Sequence, residues 1–260
     1  MCAGAHFVFH TASPFAIDVA QPEEQLVRPA VEGTRNVLAS CAKASAGGVL
    51  KRVVLTSSVA AVRGGKSAVP PKNGRLYTEE DWNESSTVAN GEAYWVSKTQ
   101  GEREAWALAK EAGLSLAVVC PNFVMGPVLS SSLPDPLSVG FLKAWLEGSA
   151  SSGDIVFAPD VRDVARAHIL AATRPQAHNQ RYIVSDAAPT SPATISRILQ
   201  ARFGEAYHIP VSSEECDTSP SVDNSKVQRD LGLQLTPLAT TLEDMAVTMI
   251  ALGIANPKKR

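Results

Sequence analysis

Three short apolar runs, separated by helix-like stretches, constrain this chain more than anything else in its 260 residues. HFVFHTAS starts at His6, RVVLTSS spans Arg52 to Ser58, and LSLAVVCP spans Leu114 to Pro121. Each is nearly continuous in apolar and β-branched residues, the pattern of a strand covered on both faces. Between the first two, PAVEGTRNVLASCAKA repeats Val31, Val37, Leu38 and Cys41 at helical spacing. Between the second and third, AYWVSKTQGEREAWALAKEAG is helical by composition and stops at Gly113. Strand, helix and strand in this alternation build βαβ units, so the expected class is α/β with a parallel sheet and helices on its faces.

Beyond Pro121 the pattern loosens. PNFVMGPVLSSSLPDP is rich in Pro and Ser and reads as a long loop, a kind usually kept for function in compact domains. A helix is expected around Val139 to Leu146, followed by a Gly/Ser stretch, GSASSG. DVRDVARAHILAAT carries Val164, Ala165, His168 and Ile169 on one face. RYIVSD reads as a short strand, SPATISRILQARFG as a capped helix and LEDMAVTMIALG as a closing helix. The C-terminal half is expected to be a smaller α-rich region at the carboxyl ends of the strands.

Composition narrows the partners. Apolar residues make up 45% and charged residues 19% of the chain, an ordinary globular balance. A net charge of -2 with mixed signs gives no electrostatic basis for nucleic acid or for an anionic membrane. The terminal PKKR reads as a solvated tail. Cys2, Cys41, Cys120 and Cys216 are scattered, so reduced thiols and a cytoplasmic location are expected. No metal site is expected, since His6 and His10 on a strand place their Cα atoms roughly 13 Å apart. No apolar run approaches a membrane span.

Tyr94-Trp95-Val96-Ser97-Lys98, at the start of the second helix, is the sharpest chemical feature. Residues four apart share a helix face, and an ammonium beside a phenol favours its ionised form. The expectation is a Tyr94 pKa lowered toward the working range, suited to protonating a developing alkoxide. Thr56-Ser57-Ser58 ends the preceding strand, where open parallel sheets form their ligand crevice. A hydroxyl there can hold a carbonyl oxygen against the phenol.

FVFHTASP, VEGTRNVL, KRVVLTSS, AYWVSKTQGEREAW and PNFVMGP, with VRDVARAHILA and VDNSKVQRDLG further on, occur in one order along nearly the whole chain. In that order they resemble the extended short-chain dehydrogenase/reductase family of the NAD-dependent epimerase/dehydratase superfamily, specifically its dihydroflavonol reductase-like branch. The resemblance implies a Rossmann-like sheet and a catalytic triad of Ser58, Tyr94 and Lys98, with Lys98 also bonding the nicotinamide ribose. It implies that Thr11, Ala12 and Ser13 line the adenine-ribose side of the cofactor, that Thr56 contributes to the cofactor site, and that Pro121 to Val124 lie against the nicotinamide. The cofactor it implies is NADP, with NAD left open, and the partner a small-molecule aldehyde or ketone. Residues 1–128 then form a partial dinucleotide-binding domain. Residues 129–260 form a substrate-binding region with closing helices, interleaved with the sheet.

Departures from the family pattern bear on substrate. ANGEAYWVSK differs from the Asn-Trp-Tyr-Cys-Tyr pattern of cinnamoyl-CoA reductases, which leaves a thioester unsupported. Arg63 stands where dihydroflavonol reductases resemble one another in carrying Asn, and where epimerases resemble S-S-x-x-V-Y-G in carrying Tyr. No Gly-rich turn precedes FVFHTAS, so HFVFHTAS is expected to correspond to the family's fourth strand, with the phosphate-binding strand–turn–helix absent from this chain. Weak cofactor binding by the chain alone is the expected consequence. A nucleotide-sugar epimerase or dehydratase, and a non-catalytic remnant acting as a binding protein, stay open as alternatives. AAVRGGKS, Ala60 to Ser67, comes close to a phosphate-binding loop, but Ala60 replaces its first Gly and Pro70-Pro71 forbid the helix that must follow.

Overall fold

The apolar runs form the strands expected of them. In a computed structural model describing residues 2–16, 19–132, 136–149 and 156–260, β1 (Phe7–His10), β2 (Arg52–Thr56) and β3 (Leu116–Pro121) pair in parallel. β4 (Gln180–Val184) joins beside β3, giving the order β1-β2-β3-β4. Phe7 stands opposite Arg52, Val53 opposite Leu116, and Ala117 opposite Gln180. β3 is buried throughout, as a strand between covered faces has to be, whereas β1 is the edge and leaves Phe9 45% exposed.

α1 (Arg28–Ser45) follows a π-helical turn over Glu23–Val27, and α2 (Ala93–Glu111) follows the long segment after β2. Leu38 and Cys41 of α1 and Ala105 and Ala109 of α2 pack with Val53, Leu55, Leu116 and Val118 in one buried cluster. At the base of β2, buried Arg52 donates to the carbonyls of Ala171 at 2.7 Å and Arg174 at 2.6 Å. Those bonds tie the strand to the last turn of α4 (Val161–Thr173) and to the residue that follows it. The sheet belongs to a first unit of residues 1–122, 165–184 and 222–233. A short helix in this unit, α6 (Ser225–Leu231), was not expected from periodicity: it offers only Val227 and Leu231 to the interior.

The second unit holds residues 123–164, 185–221 and 234–260. Its core joins α3 (Leu137–Glu147), α5 (Pro192–Phe203) and α7 (Leu238–Ala251) through Leu142, Leu146, Ile195, Leu199, Leu242 and Met245. Ser191 caps α5, accepting from the Thr194 amide at 3.2 Å. Buried Asp160 accepts from Arg162 and, at 2.8 Å, from the Thr241 hydroxyl of α7. Gly126 adopts φ +132°, and a side chain there would meet Val161 Cγ1 at 2.8 Å. The side chains of the PKKR tail are solvated from Lys258 onward, but its backbone pairs: His208 donates to the Lys258 carbonyl at 2.8 Å. The GSASSG stretch after Ser149 and residues 133–135 of the Pro-rich loop lie outside the described residues. No described helix is long and apolar enough to cross a membrane.

Candidate active site

β2 delivers Ser58 to the carboxyl end of the sheet. Ser57 keeps strand pairing, donating its amide to Val119 at 2.8 Å, and Ser58 then turns the chain. Its hydroxyl caps a 3-10 turn over Val59–Ala61 by accepting from the Ala60 amide at 3.1 Å, and donates to the Pro121 carbonyl at 3.4 Å. Helical spacing puts Tyr94 and Lys98 on the α2 face turned toward this serine. The Tyr94 hydroxyl reaches Ser58 Oγ at 3.5 Å, a loose contact of the kind that tightens only around substrate. Phe15 packs edge-on against the Tyr94 ring with centroids 5.0 Å apart.

The expected fall in the Tyr94 pKa is not found. Burial pushes the phenol up, and the Ser58 hydroxyl only partly offsets that. The Lys98 ammonium lies over the Tyr94 ring, 5.7 Å from its centroid. Burial lowers Lys98 itself to about 8. Lys98 forms no hydrogen bond or ion pair with any described residue. Its charge also helps burial hold His10 below the usual histidine value.

A recess in the first unit is lined by His10, Ala12, Ser13, Thr56, Ser57 and Lys98, among others. It gathers four of the residues assigned to the cofactor site, with Tyr94 one helical turn from Lys98 and Pro121 accepting from Ser58. Thr11 is exposed and does not line the recess, and half-buried Val124 belongs to the second unit. The Thr56 hydroxyl lies 2.6 Å from His168 Nε2, a partner that periodicity had placed only on an apolar helix face.

The Gly-Gly-Lys-Ser loop does hold an anion, and that anion is the protein's own Glu92. Ser67 donates its amide at 2.9 Å and its hydroxyl at 2.5 Å to the Glu92 carboxylate, and Ser86 adds a third bond at 2.5 Å. Burial opposes the charge, yet these hydrogen bonds, with one from the Gly65 amide, bring Glu92 down to about 2. A side chain on Gly65 would meet Glu92 Oε1 at 2.9 Å, so the carboxylate's close approach requires glycine there. Glu92 directly precedes α2, and the cage fixes the loop against the helix start that carries Tyr94.

Sheet and helices together define a Rossmann-like fold of the reductase type. Residues 1–209 match the model of the 3-beta hydroxysteroid dehydrogenase/isomerase family. The chain is 36% identical to cinnamoyl-CoA reductase CAD2 of Medicago truncatula, over 97% of this chain and 76% of that protein. It is 35% identical to tetraketide alpha-pyrone reductase 1 of Arabidopsis thaliana, over 96% of this chain and 74% of that one. Among solved structures, yeast methylglyoxal/isovaleraldehyde reductase Gre2, complexed with NADPH, superposes with a TM-score of 0.80 at 30% identity, covering 96% of this chain and 78% of its own. The chain belongs to the extended short-chain dehydrogenase/reductase family, in its dihydroflavonol reductase-like branch.

Proposed function

We propose that this protein reduces the carbonyl of a small aldehyde or ketone with NADPH, using Ser58, Tyr94 and Lys98. The observation that carries the reading is a half-buried phenol touching a strand-end hydroxyl, with a partly desolvated ammonium one turn along the same helix. The residues fit the cofactor. Lys98 lines one recess with the small residues Ala12 and Ser13, and an ammonium beside short side chains suits ribose hydroxyls. Thr56 lines the same recess, and Pro121 adjoins it through Ser58.

When bound, NADPH supplies the hydride. Ser58 holds the carbonyl oxygen by donating its hydroxyl proton, which in the free protein points to the Pro121 carbonyl. The Tyr94 O–H bond breaks and its proton passes to the oxygen that gains charge, leaving a phenolate that Lys98 stabilises. Residues 1–128 form the cofactor part and residues 129–260 the substrate part. The scattered spacing of the four cysteines supports a cytoplasmic location.

The test measures NADPH oxidation against an aldehyde and ketone panel. It is run on the chain and on a version joined at its N-terminus to the Gly-rich strand–turn–helix of a family member. Turnover in the extended protein, lost in Tyr94→Phe, is the expected result. No turnover in the extended protein, or turnover indifferent to Tyr94→Phe, would overturn the assignment.

A further inference from the structure

α2 also carries a buried carboxylate. Glu102, one turn past Lys98, is 1% exposed. Its carboxylate accepts from the Ser57 hydroxyl at 2.6 Å, pairs with Arg181 Nε of β4 at 2.6 Å, and accepts from Trp106 Nε1 at 3.1 Å. Arg181 Nη2 adds a longer bond to Glu102 Oε2 at 3.3 Å, and Nη1 gives to the carbonyls of Glu79 at 2.7 Å and Asp81 at 2.8 Å. Its guanidinium carbon stacks 3.9 Å from the Trp82 ring centroid. The next residue, Asn83, closes the circuit, donating its amide to Ala61 and its side-chain nitrogen to Ala60, each at 3.0 Å.

Both branches converge on Ser58. One arrives from the N-terminal side through Ser57, and the other from the C-terminal side through Arg181, the 79–83 segment and the turn that Ser58 caps. A buried carboxylate–guanidinium pair is a poor source of net stability, because desolvation consumes most of its attraction. What such a pair fixes well is geometry, since each partner has few satisfied arrangements.

We propose that Glu102 is a positioning residue for the reaction, holding the Ser58 hydroxyl against the Tyr94 phenol through Ser57 and through Arg181. The proposal rests on the functional reading given above. It makes α2 a single rigid ruler: the helix that carries the acid also sets the distance to the hydroxyl that shares the substrate oxygen.

The test uses the chain itself and needs no turnover. 3,5-Difluorotyrosine is incorporated at position 94, and its ionisation is followed by fluorine NMR in wild type, Ser58→Ala, Ser57→Ala, Ser57→Thr and the double alanine variant. Glu102→Ala is included, but it also strands Arg181, so Ser57→Ala carries the test if that variant fails to fold. The expected result is an upward shift of the titration in Ser58→Ala and a comparable one in Ser57→Ala. The double variant shows no further shift, and Ser57→Thr returns to wild type. A wild-type titration in Ser57→Ala beside a shifted one in Ser58→Ala would overturn the proposal and leave the Ser58–Tyr94 pairing intact. So would a shift that Ser57→Thr does not reverse. An unshifted Ser58→Ala would overturn the pairing itself and the functional reading with it.

Discussion

Replacing Lys98 with methionine is expected to make the ligand-free chain more stable while removing its chemistry. Burial holds Lys98 down from 10.5 to about 8. Each pKa unit corresponds to about 1.4 kcal/mol, which caps the cost of carrying this charge at roughly 3 kcal/mol. The side chain keeps some contact with solvent, so a cost of about 1–2 kcal/mol is the working figure. The sign follows from proton counts: between about 8 and 10.5 the unfolded chain holds a proton that the folded one has released. Wild-type stability therefore rises with pH across that window, and the cost is fully present below it. Methionine keeps the unbranched stem and its packing while deleting the charge. Urea unfolding of both chains at pH 7 and above pH 10 reads the difference directly. Lys98→Met should be more stable at pH 7, with the advantage shrinking as pH passes 8. A variant less stable than wild type at pH 7, or an advantage that ignores pH, would refute the reasoning.

Glu92→Gln removes the carboxylate that the Gly65–Ser67 loop encloses. With the folded value near 2 against an ordinary 4.5, the contribution is present above about pH 4.5 and lost as pH falls toward 2. A loss of about 1–3 kcal/mol at pH 7 is expected, converging with wild type in acid, as read by thermal unfolding across pH. In the second unit, Asp160→Ala strips a buried partner from Arg162 and Thr241 and should cost about 2–4 kcal/mol in urea unfolding. Asp244→Ala, which removes the 43% exposed partner of the same arginine, should cost no more than about 1 kcal/mol.

The sheet and its two helices were legible because buried parallel strands and amphipathic helices announce themselves by period. β4 was readable as a strand, but its place beside β3 depends on packing across a long intervening segment. Tyr94 and Lys98 were legible as a pair from helical spacing, which says nothing about where an ammonium points. It lies over the ring, and the expected direction of the Tyr94 shift was wrong because burial, which spacing does not show, raises the phenol by more than the Ser58 hydroxyl lowers it. Glu102 and Arg181 were missed because charged residues read as solvated until their partners are known. A glutamate one turn beyond a functional lysine was the available signal. AAVRGGKS was rightly set aside as a phosphate loop, though its affinity for an anion was real: Glu92, 25 residues from Ser67, fills it.

The central claim is hydride delivery to a carbonyl at Tyr94. Incubating the extended protein with NADPH deuterated at the transferring carbon and a ketone substrate, then analysing the alcohol by mass spectrometry, tests it most directly. Deuterium on the carbinol carbon, with product formation lost in both Tyr94→Phe and Lys98→Met, is the result expected. Alcohol without deuterium, or deuterated alcohol formed equally well by Tyr94→Phe, would contradict the account.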